Sequence, residues 1–228
     1  MPDPHLSIVV PTLNEADTVG DLLRDLAPWR SLGDEVILVD GDSRDATREI
    51  AAPLVDRLLT SRPGRAAQMN TGAAASAGGL LWFLHADSRV APAARDALRV
   101  RIDAGARWGR FDVRLSGRAW PLRLVERTMN LRSCLTGIAT GDQGIFVERR
   151  LFEAVGGFPD IALMEDIGLS KRLKRTAPPA CIRAPRLLTS SRHWETRGTL
   201  RTIVLMWRLR FDYWRGADPD ALAQRYRA

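Results

Sequence analysis

Between residues 6 and 84, four short apolar runs alternate with three helix-like stretches, and few folds accommodate that order. Residues 6–11, 35–40, 57–60 and 80–84 are rich in Val, Ile and Leu and read as strands. Val19, Leu22, Leu23 and Leu26 recur at helical spacing, with Asn14 or Thr12 as the candidate cap. Residues 46–50 form a second helical stretch, and residues 66–77 a small-residue helix. Alternation of this kind predicts an α/β fold, a mostly parallel central sheet with helices on both faces.

Polar residues gather where strands give way to helices, at 12–15, 40–45 and 85–88. With neighbouring strands these clusters share one rim, where open α/β sheets bind their ligands. The run Leu80-Leu81-Trp82-Phe83-Leu84-His85-Ala86-Asp87-Ser88 is the most informative. Residues two apart on a strand point the same way, so His85 and Asp87 converge. A carboxylate beside an imidazole suits a divalent metal carrying a phosphorylated substrate. The same residues also read as a strand closed by an Asx turn at Asp87.

The second half is less regular. Residues 91–104 and 118–131 read as helices, 108–115 as an alternating strand, and 140–147 as a Gly-bracketed turn into a strand. A short helix at 152–155 is closed by Gly156-Gly157-Phe158-Pro159, and residues 164–173 open a helix with Glu165 and Asp166 in its first turn. Near the C-terminus, Leu200, Ile203, Val204, Trp207, Phe211 and Trp214 fall at helical spacing, and Arg201, Arg208 and Arg215 recur on another side. Two readings stand for that amphipathic helix: it packs on the domain, or residues 200–215 touch anionic lipid. A polar tail follows.

A chain of 228 residues fits one domain. Its 34 Lys and Arg outnumber 27 Asp and Glu, for a net charge of +7, and Lys occurs only at 171 and 174. An Arg-rich surface suits nucleic acid, anionic lipid or a phosphorylated substrate. Trp29, Trp82, Trp108 and Trp120 are scattered through different elements, which argues against a nucleic-acid surface. Cys134 and Cys181 lack metal spacing and fit a reducing, cytoplasmic setting. No N-terminal basic-then-apolar leader and no run of about eighteen apolar residues is seen, so neither a signal peptide nor a membrane span is expected.

The order of motifs resembles a family 2 glycosyltransferase with the GT-A fold. Four segments carry the resemblance: Ile8-Val9-Val10-Pro11-Thr12-Leu13-Asn14-Glu15; Val36-Ile37-Leu38-Val39-Asp40-Gly41-Asp42-Ser43-Arg44-Asp45; Phe83-Leu84-His85-Ala86-Asp87; and Gly156-Gly157-Phe158 followed by Glu165-Asp166. It implies a GT-A (nucleotide-diphospho-sugar transferase) fold in one domain, 1–228. Residues 1–90 would be the nucleotide-binding half, 91–195 the acceptor half, and 196–228 a helical tail. It also implies inverting transfer of a sugar from a nucleotide-diphospho-sugar, a UDP-sugar first of all, to a hydroxyl or carboxyl of a small-molecule or lipid-linked acceptor. Pro11, Thr12, Glu15, Asp40, Asp42, Arg65 and Gln68 would bind the donor nucleotide. Asp87 stands where the family has the second acid of its Asp-x-Asp motif and would hold Mg²⁺ or Mn²⁺, which stabilises the leaving diphosphate. His85 replaces the first acid; metal ligation, a bond to the sugar and simple packing all stand for it. His193 joins the metal candidates, and Arg192 would contact the diphosphate. Asp166 would be the general base, with Glu165 beside it. Asp142 and Gln143 would wall the sugar and acceptor. Ser190-Ser191-Arg192-His193-Trp194 lacks the Gln of the processive synthases' Gln-x-x-Arg-Trp, so polymerisation is not expected. Within the family, the chain resembles a bacterial subgroup labelled arsenosugar-biosynthesis-type or carotenoid-acid glycosyltransferases. A cytoplasmic enzyme, with or without contact to the inner face of the cell membrane, follows.

Two rival readings remain. A nucleotidyltransferase of related architecture opens with a Gly-rich, Lys-bearing phosphate loop, which residues 8–15 lack. A non-catalytic sugar-nucleotide-binding protein would keep the rim without using Asp166.

Overall fold

The computed structural model describes residues 6–192 and 198–227. Eight strands form one sheet: β1 (Leu6–Thr12), β2 (Glu35–Asp40), β3 (Arg57–Thr60), β4 (Leu80–Phe83), β5 (Ser88–Arg89), β6 (Trp108–Leu115), β7 (Phe146–Glu148) and β8 (Ala180–Thr189). Their order across the sheet is β3-β2-β1-β4-β7-β6-β8-β5. The expected parallel half is there, with β1 against β2 and β4, and β2 against β3. The sheet as a whole is mixed: β7 runs antiparallel to β4 and β6, and β5 antiparallel to β8, while β6 and β8 are parallel.

Continuous apolar strands follow from burial on both faces. Ile8 and Val10, Val36 and Leu38, and Leu80, Trp82 and Leu84 join one core cluster. Val9, Ile37, Val39, Leu81 and Phe83 join the other. The period of two thus splits each run between two layers. Helix α1 (Val19–Arg30) covers the first face through Val19, Leu22, Leu23, Leu26 and Trp29, and α4 (Ala94–Asp103) covers it through Ala94 and Leu98. Between them in sequence lie α2 (Thr47–Ala51) and α3 (Arg65–Ala75). Helix α3 covers the second face through Ala66, Met69 and Ala73. A Cβ at Gly72 would stand 2.4 Å from a Val9 methyl, so only glycine lets α3 lie this close to the sheet.

Four further helices complete the chain's second half before its end: α5 (Trp120–Thr136), α6 (Arg149–Ala154), α7 (Glu165–Leu173) and α8 (Thr199–Trp214). The expected polar tail is instead α9 (Pro219–Arg227). Leu209 of α8 and Leu222 of α9 pack with Met164 and Ile167 at the start of α7. The packing reading of the C-terminal helix therefore holds for one of its faces. Its other face leaves Val204, Trp207, Phe211 and Trp214 exposed. No helix among the described residues is long and apolar enough to cross a membrane.

The sheet order reverses between β1 and β4: from β1 the chain moves outward to β2 and β3, then returns to β4 on β1's other side. The carboxyl ends of β1 and β4 flank that crevice, where such sheets bind ligands.

Candidate functional site

The loops after β1 and β2 are tied together by side chains. Asn14 adopts a left-handed backbone (φ 55). Its N–H donates to Ser43 Oγ at 2.9 Å, and its Oδ1 accepts from the Arg44 N–H at 2.8 Å. Asn14 is thus a cross-loop clip, and α1 starts later, at Val19. Pro11 and Thr12 are buried at the end of β1. Asp40 is wholly buried, and its Oδ2 accepts from the Asp42 and Ser43 amides at 3.1 and 2.9 Å. As placed, Asp40 builds the turn that carries the exposed Asp42. Glu15 is half-buried and pairs with Arg192 at 3.3 Å, joining two expected donor-site residues 177 positions apart.

Two of the expected contact residues are engaged by the scaffold. Gln68 is buried under the rim, and its Nε2 donates to the Thr12 and Val39 carbonyls at 2.7 and 2.9 Å. Both amide hydrogens are spent clamping β1 to β2, so Gln68 is held under the rim by the ends of those strands. Gln143 is also fully buried; it closes a capping box with Thr140 and reaches Asn130 Oδ1 at 3.5 Å. It folds the loop that presents Asp142.

The remaining candidates converge on the crevice. After β4, His85 Nδ1 lies 3.1 Å from Asp142 Oδ1. Its Nε2 is buried without a partner, and a Cβ at Gly141 would sit 2.4 Å from it. The imidazole is therefore wedged against the loop 141–143, which needs glycine there. This favours packing and positioning of Asp142 over metal ligation by His85. Burial opposes ionisation of Asp142, but the His85 hydrogen bond and charge, with Arg65 and Arg210, hold its carboxyl down at about 2. Asp87 shifts the other way. Burial raises it, the Asp142 charge adds to that, and His85 and Arg65 act against it.

Asp166 opens α7 beside this group. Its Oδ2 accepts from the Gly141 N–H at 2.9 Å and its Oδ1 from the Ile167 N–H at 2.7 Å. Met164, just ahead of the pair, is buried with φ 69, an uncommon conformation for a bulky residue. Such strain persists where the surroundings impose it; here Met164 is locked against Leu209 and Leu222. Glu165 is buried, and burial first, then the Asp166 charge, push its carboxyl from 4.5 up to about 7. Arg65, at the start of α3, lies within electrostatic reach of Glu165, Asp142 and Asp166.

The Glu165 shift has a stability consequence of definite sign. Between 4.5 and about 7 the folded chain keeps a proton that the unfolded chain releases. Its contribution is therefore full below the unfolded value and is lost as pH rises through the folded one. Glu165→Gln, neutral and of equal size, is expected to flatten that part of the pH profile, by on the order of 3 kcal/mol at most. Urea midpoints of both proteins at pH 5 and pH 8 check it. Parallel changes in the two proteins would contradict the shift.

The donor set bears on a metal. No three His, Cys, Asp or Glu side chains among the described residues are grouped to hold one by themselves. Asp87 and Asp142 are nevertheless two mutually repelling carboxylates at the crevice, as one or two acids completed by phosphate oxygens would require for Mg²⁺. His193 lies outside the described residues.

Sequence reasoning passed over Arg132 on α5 and Arg210 on α8. Both are half-buried, and the Asp166 charge acts on both. Nothing in the sequence marked them, because arginine is frequent throughout and each occupies an ordinary helical position.

Residues 7–114 match the profile of glycosyl transferase family 2. That span holds β1 to β6 and the rim residues of β1, β2 and β4, and stops short of Asp142 and Asp166. The uncharacterized protein MT1568 of Mycobacterium tuberculosis is 32% identical over 105 residues, 44% of this chain and 33% of its own length. The chain thus matches about a third of that curated relative. Among solved structures, TarS 1-349 of S. aureus in complex with UDP-GlcNAc is 18% identical with a TM-score of 0.66, over 82% of this chain and 58% of that one. Glucosyl-3-phosphoglycerate synthase of M. tuberculosis, bound to Mn²⁺, UDP and glucosyl-3-phosphoglycerate, is 21% identical with a TM-score of 0.63, over 82% and 72%. The mannosyltransferase PcManGT of Pyrobaculum calidifontis, with GDP-Man and Mn²⁺, is 21% identical with a TM-score of 0.65, over 98% and 69%. At these identities the likeness is one of fold, and the fold is that of GT-A glycosyltransferases.

Proposed function

We propose that this chain is an inverting family 2 glycosyltransferase that moves a sugar from a nucleotide-diphospho-sugar to a hydroxyl or carboxyl of a small-molecule or lipid acceptor. The observation that carries the reading is the convergence of Asp87, Asp142, Glu165, Asp166 and Arg65 on the switch-point crevice. The family 2 match over residues 7–114 supports it, as do solved relatives of the same fold bound to UDP- or GDP-linked ligands.

The chain's own groups suit the chemistry. Burial and the neighbouring Asp166 charge raise the Glu165 carboxyl to about 7, and of the adjacent pair Asp166, held at the crevice by two backbone amides, is assigned as the base. Two backbone amides fix the Asp166 carboxylate, and each oxygen keeps a lone pair for the acceptor's proton. The acceptor oxygen would bond to the anomeric carbon as the bond to the diphosphate breaks on the opposite face, inverting that centre. Arg65 would stand by the leaving diphosphate. Mg²⁺ or Mn²⁺, when bound, neutralises charge on the leaving group; Asp87 would hold it, with Asp142 the next carboxylate. Both labels of the resembled subgroup, arsenosugar-biosynthesis-type and carotenoid-acid glycosyltransferase, fit this scheme and differ only in acceptor.

Peripheral membrane contact belongs to the same proposal. Exposed Val204, Trp207, Phe211 and Trp214 on α8 stand beside exposed Arg201, Arg208 and Arg215. Helix α5, joined to α8 through Leu122, Val125 and Ile203, adds exposed Trp120, Leu124, Leu131 and Leu135. Apolar area flanked by arginine suits an anionic interface. A tryptophan blue shift with anionic vesicles and none with zwitterionic ones is the expected signature; no shift with either would remove this part.

The donor reading is tested by thermal shift with UDP-, GDP- and dTDP-sugars, each with Mn²⁺, Mg²⁺ or EDTA. A ligand at about 100 times its Kd adds about 2.7 kcal/mol, or roughly 5–10 °C for a chain of this size. The expected result is a metal-dependent shift with a UDP-sugar that is lost in Asp87→Ala. No shift with any donor would end the proposal, and binding without turnover would leave a sugar-nucleotide-binding protein.

A further inference from the structure

Two guanidinium groups beside Asp166 are short of partners. Arg132 Nη2 and Arg210 Nε are buried with no hydrogen-bond acceptor among the described residues. Neither side chain forms an ion pair with a carboxylate among the described residues, whereas the neighbouring Arg110 is paired with Asp112. Each Asp166 oxygen already accepts a backbone amide. The like charge of Arg210 and burial both press on Arg132. A buried N–H left without an acceptor is destabilising, and an oxyanion within reach of the pair would satisfy both. Planar guanidinium forks match carboxylate and phosphate oxygens.

The pair's place selects the source of that oxyanion. The charges that act most strongly on Asp87, the candidate donor-side ligand, are His85, Asp142 and Arg65. Those acting on Arg132 are Arg210, Asp166 and Arg110. Arg210 is acted on by Asp142 as well as Asp166, and neither arginine is among the charges that act most strongly on Asp87. The pair therefore lies toward Asp166 and Asp142 and away from Asp87, where an acceptor would present its nucleophile to the base. We propose that Arg132 and Arg210 form an oxyanion subsite that binds a carboxylate or phosphate carried by the acceptor. This rests on the glycosyltransferase reading, since only that reading makes the Asp166 side the acceptor side.

The test uses the full chain and inorganic phosphate as probe, by calorimetric titration with and without saturating UDP and Mn²⁺. Phosphate is expected to bind with UDP present as well as without it. Arg132→Gln and Arg210→Gln should each weaken it about tenfold or more, the loss of one charged hydrogen bond. Arg132→Lys and Arg210→Lys, which keep the charge, should recover part of the affinity. UDP binding that survives in all four variants shows that they fold. Vesicles of phosphatidylcholine doped with phosphatidic acid form a second arm. Capture that depends on the two arginines assigns the oxyanion to a lipid acceptor, and phosphate binding without such capture assigns it to a soluble one. Phosphate displaced by UDP would give the pair to the donor diphosphate and overturn the proposal. Phosphate binding unchanged by the substitutions would overturn it as well. Failure of UDP to bind the unsubstituted chain would instead defeat the glycosyltransferase reading, and the acceptor assignment with it.

Discussion

Asp166→Asn is expected to lower turnover by about 10²–10⁴-fold, the range for loss of a positioned general base, while donor affinity changes little. The asparagine keeps the shape of the side chain but cannot take a proton. It also accepts with one oxygen only, so one of the Gly141 and Ile167 amides loses its acceptor. A stability loss of about 1–3 kcal/mol accompanies that orphaned amide. The two effects separate experimentally. Release of nucleoside diphosphate from the donor measures turnover, with water standing in when no acceptor is supplied. Titration with donor and metal measures binding. Retention of most activity would transfer the base role away from Asp166, and joint loss of binding and activity would mark it as a donor-site residue.

Trp82→Ala is expected to cost about 3–5 kcal/mol of folding stability, the usual range for a buried tryptophan. Trp82 is fully buried on β4, stacked on Trp29 at 5.5 Å and packed against Phe111 at 5.1 Å. Its Nε1 donates to the Gly144 carbonyl at 3.0 Å. The ring therefore ties α1, β6 and the turn into β7 to the strand that delivers His85 and Asp87. Urea unfolding should show a lower midpoint with an unchanged slope, and a melting temperature lower by about 2–4 °C per kcal/mol. Trp82→Phe keeps the aromatic stacking and loses the Gly144 bond, so it should fall between. A change below 1 kcal/mol for the alanine would contradict the packing described.

The parallel half of the sheet was legible in the sequence because its cause is local. Strands buried on both faces must be continuously apolar, and Ile8 to Val10, Val36 to Val39 and Leu80 to Phe83 are. Their polar ends announced the rim for the same reason. Strands β5 and β8 were not legible. Serine and arginine alone make β5, and β8 carries Arg183, Pro185 and Arg186 within a run paired irregularly opposite Phe111 and Val113. Such segments become strands because a neighbour supplies hydrogen bonds, not because their own pattern demands it.

The site divides the same way. The polar strand end pointed to Asp87 by itself, and the resemblance to family 2 motifs nominated it together with Asp142, Glu165, Asp166 and Arg65. Tertiary structure alone decided which polar side chains are consumed by the scaffold. Gln68 and Gln143 spend their amides on backbone and loop, and Asp40 spends an oxygen on its own turn. It alone brought Arg132 and Arg210 beside Asp166 from α5 and α8. A sequence records which hydrogen-bonding groups a chain has; which of them remain unsatisfied, and so available to a ligand, is settled only when the helices and strands pack.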